Sequence, residues 1–370
     1  MRILHVVTLV SPDGAYGGPV RVALNQAQAL VALGHEVTVA AATRGYQRAP
    51  TALDGVALRL FPARTLLPRT GFAGLGAPAL IRWFRRHAGD FDVAHFHLGR
   101  DLVTLPAAAL ARRRVPYVVQ THGMVIPSHH PLAAPLDMFG TRPVLRDARA
   151  VFHLTPLERA QLIVVAGPRL RLVPLRNGVP RPPLWPTQTG EAEVLFAARL
   201  HARKRPTAFV EIAHALLAEG IQAQFSLIGP DEGEGAAVQT AIAGEPRIEW
   251  LGPLAPAAVP ARMATASVFV LPAMAEPFPM AVLEAMSVGI PVVVATDCGL
   301  AETIERTGSG IVASADVIAM TAAVRTLLLD PGAARRMGER GRRTVSDEFT
   351  MSAVAEVLDR IYKEVAGYRT

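Results

Sequence analysis

Between Asn177 and Pro186 the sequence reads Asn-Gly-Val-Pro-Arg-Pro-Pro-Leu-Trp-Pro, and its four prolines exclude both a helix and a central strand. This stretch interrupts a pattern in which short apolar strands alternate with helical segments. Before it the expected strands are Ile3–Leu9, Glu36–Ala41, Ala57–Phe61, Val93–Phe96, Tyr117–Thr121, Ala150–Leu154 and Leu172–Leu175. After it they are Glu193–Ala198, Gln224–Ile228, Ile248–Leu251, Ser267–Leu271, Pro291–Ala295 and Ile311–Ala313. Helical patterns such as Val20–Leu33, Thr207–Glu219 and Ala281–Val288 fall between them. Strands in alternation with helices make parallel sheets covered on both faces. The chain therefore reads as α/β, with two doubly wound domains over residues 1–178 and 190–350 joined by a stiff linker. Two such domains leave a cleft, and ligands in such sheets sit beyond the carboxyl ends of the strands. Met351–Val365 reads as a last amphipathic helix with Val354, Val357, Leu358 and Ile361 on one face.

Charge divides along the same boundary. Residues 1–185 carry 22 Arg and 9 Asp/Glu, a balance of +13, while the remainder is net −6. A basic half joined to an acidic one implies that the first half meets something anionic: nucleic acid, lipid headgroups or a phosphate-bearing substrate. Hydrophobic residues form 51% of the 370 residues, enough for two cores. The one cysteine, Cys298, excludes a disulfide framework and a multi-cysteine zinc site. Apolar runs such as Val115–Val119 fall far short of the ~20 residues of a membrane helix. Met1–Val10 reads as a first strand, not as a signal peptide, so a cytoplasmic protein is expected.

Three motifs lie where a strand gives way to a helix. In Glu276-Pro277-Phe278-Pro279-Met280-Ala281-Val282-Leu283-Glu284, one carboxylate sits in the loop and the other about one turn into the helix. The helix start offers amides and partial positive charge to a phosphate, and flanking carboxylates accept from hydroxyls. That combination suits a sugar attached to a nucleoside diphosphate. Arg199 and Lys204, just after the first strand of the second domain, bring positive charge that a departing diphosphate needs. Gly14-Ala15-Tyr16-Gly17-Gly18-Pro19 lets backbone amides approach a phosphate. It is not the Gly-x-Gly-x-x-Gly fingerprint, and the acidic residue some way on, Glu36, opens a strand, so a dinucleotide site is not expected.

Histidines mark two strand ends, at His122 in Thr121-His122-Gly123 and at His95 and His97. A neutral imidazole there can bond a sugar hydroxyl. His-x-His also raises a metal site, but no carboxylate or cysteine is placed to complete the set. Asp90-Phe91-Asp92 lies at the amino end of its strand and reads as a turn. Ala77–Ala88 mixes Leu80, Ile81, Trp83 and Phe84 with Arg82, Arg85 and Arg86, which fits equally a helix on an anionic bilayer and a crossover helix with a basic face. The Pro- and His-rich segment Met124–Asp137 reads as a long surface loop.

The whole chain resembles the retaining GT-B glycosyltransferases of the large Glu-x7-Glu family, which includes bacterial polysaccharide and lipid glycosyltransferases. Glu276 and Glu284 match its Glu-x7-Glu, Arg199 and Lys204 its Arg-x4-Lys, and Asn177-Gly178-Val179 its interdomain Asn-Gly-Val. Thr155-Pro156-Leu157-Glu158 and Cys298-Gly299-Leu300-Ala301-Glu302 are similar to two further family segments. The resemblance implies two Rossmann-like domains, the first binding the acceptor, with the last helix, 351–370, crossing back to it. It implies that Glu276, Phe278, Pro279 and Met280 hold the donor sugar, Glu284 the ribose, and Arg199 and Lys204 the diphosphate, helped by the amides of Gly17 and Gly18. His122 would stand beside the anomeric carbon, with His95 and His97 on the acceptor side. No metal and no cofactor beyond the nucleotide-sugar donor is implied. Pro279 departs from the glycine of many members and carries no N–H.

The expected activity is transfer of a hexose from a UDP- or GDP-sugar to a glycan or lipid-linked acceptor, in cell-surface polysaccharide or glycolipid synthesis. No nucleic acid is expected as partner, and an anionic membrane surface is, which would make the protein peripheral at the inner face of the cell membrane. The alternatives are transfer to a soluble small molecule, a sugar-nucleotide epimerase of the same shape, and a non-catalytic nucleotide-sugar binder.

Overall fold

The two runs of alternating strands and helices become two parallel sheets. The computed structural model describes every residue except 13–16, 54, 69, 129, 132, 182, 184–189, 256–257 and 368–370. Gly14, Ala15 and Tyr16 of the glycine turn, and Pro182 and Leu184–Pro186 of the linker, lie outside the described residues. The chain divides into one unit of Met1–Gly178 with Met351–Thr370 and another of Val179–Thr350.

In the first unit the strands run, edge to edge, Leu172–Pro174, Ala150–His153, Tyr117–Gln120, Val93–His97, Arg2–Val10, Glu36–Thr43, Val56–Pro62 and Ala52–Leu53. All neighbours pair parallel except the last two. Chain order reverses beside Arg2–Val10, whose other neighbour, Val93–His97, aligns His5 with His95. Ile3, Leu4, Val6 and Val7 have no exposed surface, as a strand covered on both faces requires. Leu4, Val6 and Phe96 pack with Leu80 and Phe84 of the helix Pro78–His87. Ile3 and Val7 face the other way, onto Ala27 and Leu30 of Gly17–Ala32 and onto Leu358, Ile361 and Tyr362 of Met351–Val365. Fully burying side chains of this size stabilises by ~1.5–3 kcal/mol each, which ties the last helix into this unit.

The second unit holds a six-stranded parallel sheet in the order Ile248–Trp250, Gln224–Ile228, Glu193–Ala197, Val268–Leu271, Val292–Ala295 and Gly310–Ala313. Order reverses between Glu193–Ala197 and Val268–Leu271, so the loops leaving these two strands flank the switch point where such sheets bind ligands.

Two expectations change. The first helix begins at Gly17, not Val20. Proline is well tolerated in a first turn, so Gly17-Gly18-Pro19 is the opening of the helix and not a loop before it. Met124–Asp137 is not one long loop: Ala133–Leu136 is helical, Asp137–Thr141 forms a π-helical turn, and Val125 is buried. Arg100 holds Asp137 through two bonds of 2.8 Å, which fixes that turn. In the helix Pro78–His87, Leu80 and Phe84 are buried, and Trp83 packs among Phe61, His87 and Phe91. Its apolar residues thus serve the core, and Arg82, Arg85 and Arg86 form its exposed face. Asp92 accepts the Arg2 amide at 2.7 Å, a role in the turn and not in metal binding.

Candidate functional site

In the second unit the charged motifs gather at the sheet's switch point. Arg199 leaves the carboxyl end of Glu193–Ala197 on a segment pinned to the neighbouring loop by Ala198 N–H to Ile228 O (3.1 Å) and Leu200 N–H to Pro230 O (2.9 Å). The approach is so close that a Cβ on Gly229 would overlap the Ala198 carbonyl. Lys204 closes a short 3-10 turn, Ala202–Lys204, capped by His201 Nδ1, which accepts from Arg203 N–H at 3.1 Å. Glu276 lies on the loop after Val268–Leu271. That loop is clamped to the loop after Val292–Ala295: Gly299 N–H donates to Glu276 O (2.8 Å) and Ala275 N–H to Asp297 Oδ2 (2.6 Å). Residue 299 must be glycine, since a Cβ there would overlap the Pro277 carbonyl.

These constraints bring Lys204 Nζ to 2.5 Å from Glu276 Oε2, with Arg203 Nη2 at 3.5 Å from the same oxygen. Both side chains of the pair are nearly buried, at 13% and 10% exposure. Burial pushes the Lys204 ammonium below the ordinary lysine range, and Glu276 opposes that shift. Arg199 does not share this anion. It pairs with Glu232, a residue that the sequence motifs do not single out. Glu284 is also buried, midway along Met280–Val288. Pro279 stands at the N-cap position of that helix without a capping side chain, so its missing N–H falls outside the helix and the first-turn amides follow it. Phe278 packs at 6.2 Å from Phe349. Cys298 is buried, and burial pushes its thiol up to about 12, which keeps it protonated and unreactive.

In the first unit, His122 follows Tyr117–Gln120 with φ of 52°, and Gly123 continues at 72°. A left-handed histidine costs on the order of 1 kcal/mol and persists where its surroundings hold it. Here Glu158 does so. Its carboxylate, 2% exposed, accepts from Thr121 Oγ1 (2.5 Å), Gly123 N–H (2.6 Å) and Leu154 N–H (2.6 Å). Thr155 caps the helix Pro156–Ala166, which carries Glu158, by accepting the Glu158 amide at 3.1 Å. Asn177 is buried at the end of this unit and accepts from Gln120, which in turn accepts from Gln26. Gly17 and Gly18 open the first helix, with amides free of intrahelical partners.

His95 and His97, expected on the acceptor side, are buried, at 0% and 1% exposure. They belong to a cluster with His5, His122 and Tyr362. Ring nitrogens of His5, His95 and His97 lie within 4.8 Å of one another, which makes this the metal-ligand candidate among the described residues. Their contacts are hydrogen bonds: His5 Nδ1 to His97 Nε2 at 3.0 Å and His97 Nδ1 to His122 Nε2 at 2.8 Å. Burial pushes His5 and His122 down to about 3 and holds His95 and His97 well below the ordinary range. The four rings are neutral at neutral pH. Residue patterns did not mark His5 or Tyr362, because one sits mid-strand and the other on a distant helix.

The chain matches two domain families in tandem, a glycosyl transferase 4-like domain over residues 17–178 and a glycosyl transferases group 1 domain over 184–344. It is 28% identical over 289 residues to glycogen synthase of Mycobacterium tuberculosis, covering 73% of this chain and 68% of that protein. It is 26% identical over 334 residues to alpha-D-kanosaminyltransferase of Streptomyces kanamyceticus, covering 80% and 84%. The crystal structure of HepE from Anabaena in complex with UDP and glucose superposes with a TM-score of 0.77 at 18% identity, over 97% of this chain and 98% of that one.

The histidine cluster sets an acid limit on the first unit. Folded His5 stays neutral down to about pH 3, whereas the unfolded ring takes up a proton below about 6.5. The unfolded state therefore binds more protons in that window, and stability falls as pH falls, by up to ~1.4 kcal/mol per pH unit for each such ring. Urea unfolding at pH 7 and pH 5 is expected to show this loss. Equal stability at both values would mean that the rings charge within the fold.

Proposed function

Since glycosyl transferase domains match both halves in tandem, this protein is a glycosyltransferase of the GT-B fold, and we propose that it moves a hexose from a UDP- or GDP-sugar to a glycan or lipid-linked acceptor with retention of configuration. The observation that carries the donor assignment is the buried Lys204–Glu276 pair at the switch point of the second sheet, with the helix start at Met280 beside it in sequence. Lys204 and Arg199 take the diphosphate, exchanging the carboxylates of Glu276 and Glu232 for phosphate oxygens as negative charge develops. Glu276, with the loop through Phe278, Pro279 and Met280, then holds sugar hydroxyls, and Glu284 holds the ribose diol. From the first unit, the amides of Gly17 and Gly18 serve the distal phosphate, and His122 serves the sugar. In this reading the departing phosphate takes the acceptor's proton, with attack on the same face of the sugar. The complex of HepE with UDP and glucose supports a nucleotide-sugar donor.

The acceptor reading rests on the first unit's charge. Arg82, Arg85 and Arg86 are exposed on one helix, and Arg114 reaches the Arg85 carbonyl at 3.2 Å, extending the same basic face. Such a face suits an acceptor bearing phosphate or an anionic bilayer. No single helix among the described residues is long and apolar enough to cross a membrane. The similarity to alpha-D-kanosaminyltransferase favours a second reading, transfer to a small soluble acceptor.

Incubation with labelled UDP- and GDP-sugars separates these activities: slow donor hydrolysis marks a transferase, and interconversion of sugars an epimerase. In a transfer assay Lys204→Ala should lower kcat by about 100-fold, since its charge is needed most in the transition state. Glu284→Ala should raise the donor KM with a smaller change in kcat, since a ribose grip acts equally before and during transfer. Parental rates in both variants would remove the donor site from this location. In co-sedimentation, anionic vesicles should retain the protein and neutral ones should not. Equal binding to both would turn the acceptor reading toward soluble molecules.

A further inference from the structure

We propose that Tyr362, His95, His5 and His97 are positioning residues forming one proton-ordered chain, which decides together with His122 whether that ring offers a donor or an acceptor at Nδ1. The contacts run in series. His122 Nε2 meets His97 Nδ1 at 2.8 Å, and His97 Nε2 meets His5 Nδ1 at 3.0 Å. His5 Nε2 meets the Tyr362 oxygen at 3.3 Å, and that hydroxyl meets His95 Nδ1 at 2.6 Å. Two ring nitrogens remain, His122 Nδ1 at one end and His95 Nε2 at the other, and both are shielded and without a partner. His95 also stacks on His97 with centroids 4.4 Å apart and His97 on His122 at 5.0 Å, which restrains these three rings.

Counting protons fixes the rest. A neutral imidazole has one N–H and one bare nitrogen, and tyrosine adds one O–H. Four rings and one hydroxyl bring five protons to four contacts, and each contact holds one. The fifth proton must stand at an end of the chain. Only two arrangements satisfy this. In one, all four rings carry the proton on Nδ1, His122 is a donor at its free nitrogen, and His95 ends in a bare acceptor. In the other, all four carry it on Nε2, His122 is an acceptor, and His95 ends in a buried N–H without a partner. No ring changes alone.

The ends differ in what can reach them. Both end nitrogens are shielded, but His95 has no exposed surface at all, whereas the His122 residue is partly exposed on the turn after its strand, so a small shift of that turn opens its Nδ1 to a ligand. A buried N–H without a partner is tolerated less readily than a bare acceptor. The Nδ1–H arrangement is therefore the working one once an oxygen ligand accepts from His122. Helix Met351–Val365, the last of the chain, thus takes part in ordering a ring 240 positions earlier in sequence. The consequence for turnover rests on the proposed role of His122 beside the sugar; the proton order does not.

Long-range proton–nitrogen NMR of the full chain labelled with 15N-histidine distinguishes protonated from bare ring nitrogens at each site. His5, His95, His97 and His122 are expected to show one common tautomer. In Tyr362→Phe, His5, His97 and His122 should still agree with one another, while His95 no longer follows them. A mixture of unlike tautomers among the four rings of the parent would overturn the proposal. So would a His95 that still follows the others in Tyr362→Phe. Stoichiometric Zn2+ uptake with large shifts of the bare ring nitrogens of His5, His95 and His97 would overturn it too, since an ion at ~2.0–2.1 Å from each ring takes the lone pairs that these hydrogen bonds need. Tyr362→Phe should also lower kcat about tenfold at little change in donor KM, the scale of a lost orienting partner. A common tautomer with unchanged kcat would uphold the proton order and instead remove His122 from the chemistry.

Discussion

A lysine and a glutamate removed from water at 2.5 Å set the terms for the second unit. Two charges lose their hydration when buried, and their mutual attraction often fails to offset that cost. Such a pair adds little to stability compared with a well-packed apolar substitute. Its position explains its retention. The loops leaving Glu193–Ala197 and Val268–Leu271 are the ones that part at the reversal of strand order, where a sheet of this type receives its ligand. Glycine at 229 and at 299 lets these loops approach their neighbours, and that backbone contact holds the charged side chains in place. The surroundings already hold positive charge in a place of low dielectric, where it acts most strongly on an incoming anion.

The first unit solves a different problem. It gathers four imidazoles, those of His5, His95 and His97 fully buried, at the reversal of its own sheet and keeps them neutral, so no net charge needs to be compensated there. One buried carboxylate, Glu158, holds the left-handed turn at His122 from outside the cluster, through two bonds to that turn and one to Leu154. The second unit's loops thus bring buried charge together, while this cluster of the first unit presents neutral hydrogen-bonding groups whose direction is set by their neighbours.

The strands, the paired sheets and the motifs at their carboxyl ends were legible because apolar runs and strand-to-helix junctions are local features. The amphipathic face of Met351–Val365 was legible for the same reason. What escaped was contact between distant positions. Glu232 lies 33 residues from Arg199, and Tyr362 lies 267 residues from His95; no spacing rule joins them. The helix within 133–141 was hidden by the prolines and histidines before it, and is held by Arg100, far away in sequence. The first helix starts three residues before its apolar pattern does, because glycine and proline read as a turn. In the basic helix Pro78–His87 the pattern did not separate its inward side from its outward one, and packing places Leu80 and Phe84 in the core with Trp83 against Phe61.

The central claim is that the positive charge at the second unit's switch point exists to hold a nucleoside diphosphate. Titration calorimetry with UDP or GDP against the matching nucleoside tests it most directly. The diphosphate should bind at least ~100-fold more tightly than the nucleoside, a difference of about 2.7 kcal/mol, and most of that advantage should vanish in Lys204→Ala. Equal affinity for nucleoside and nucleoside diphosphate, or an advantage that survives in Lys204→Ala, would contradict it.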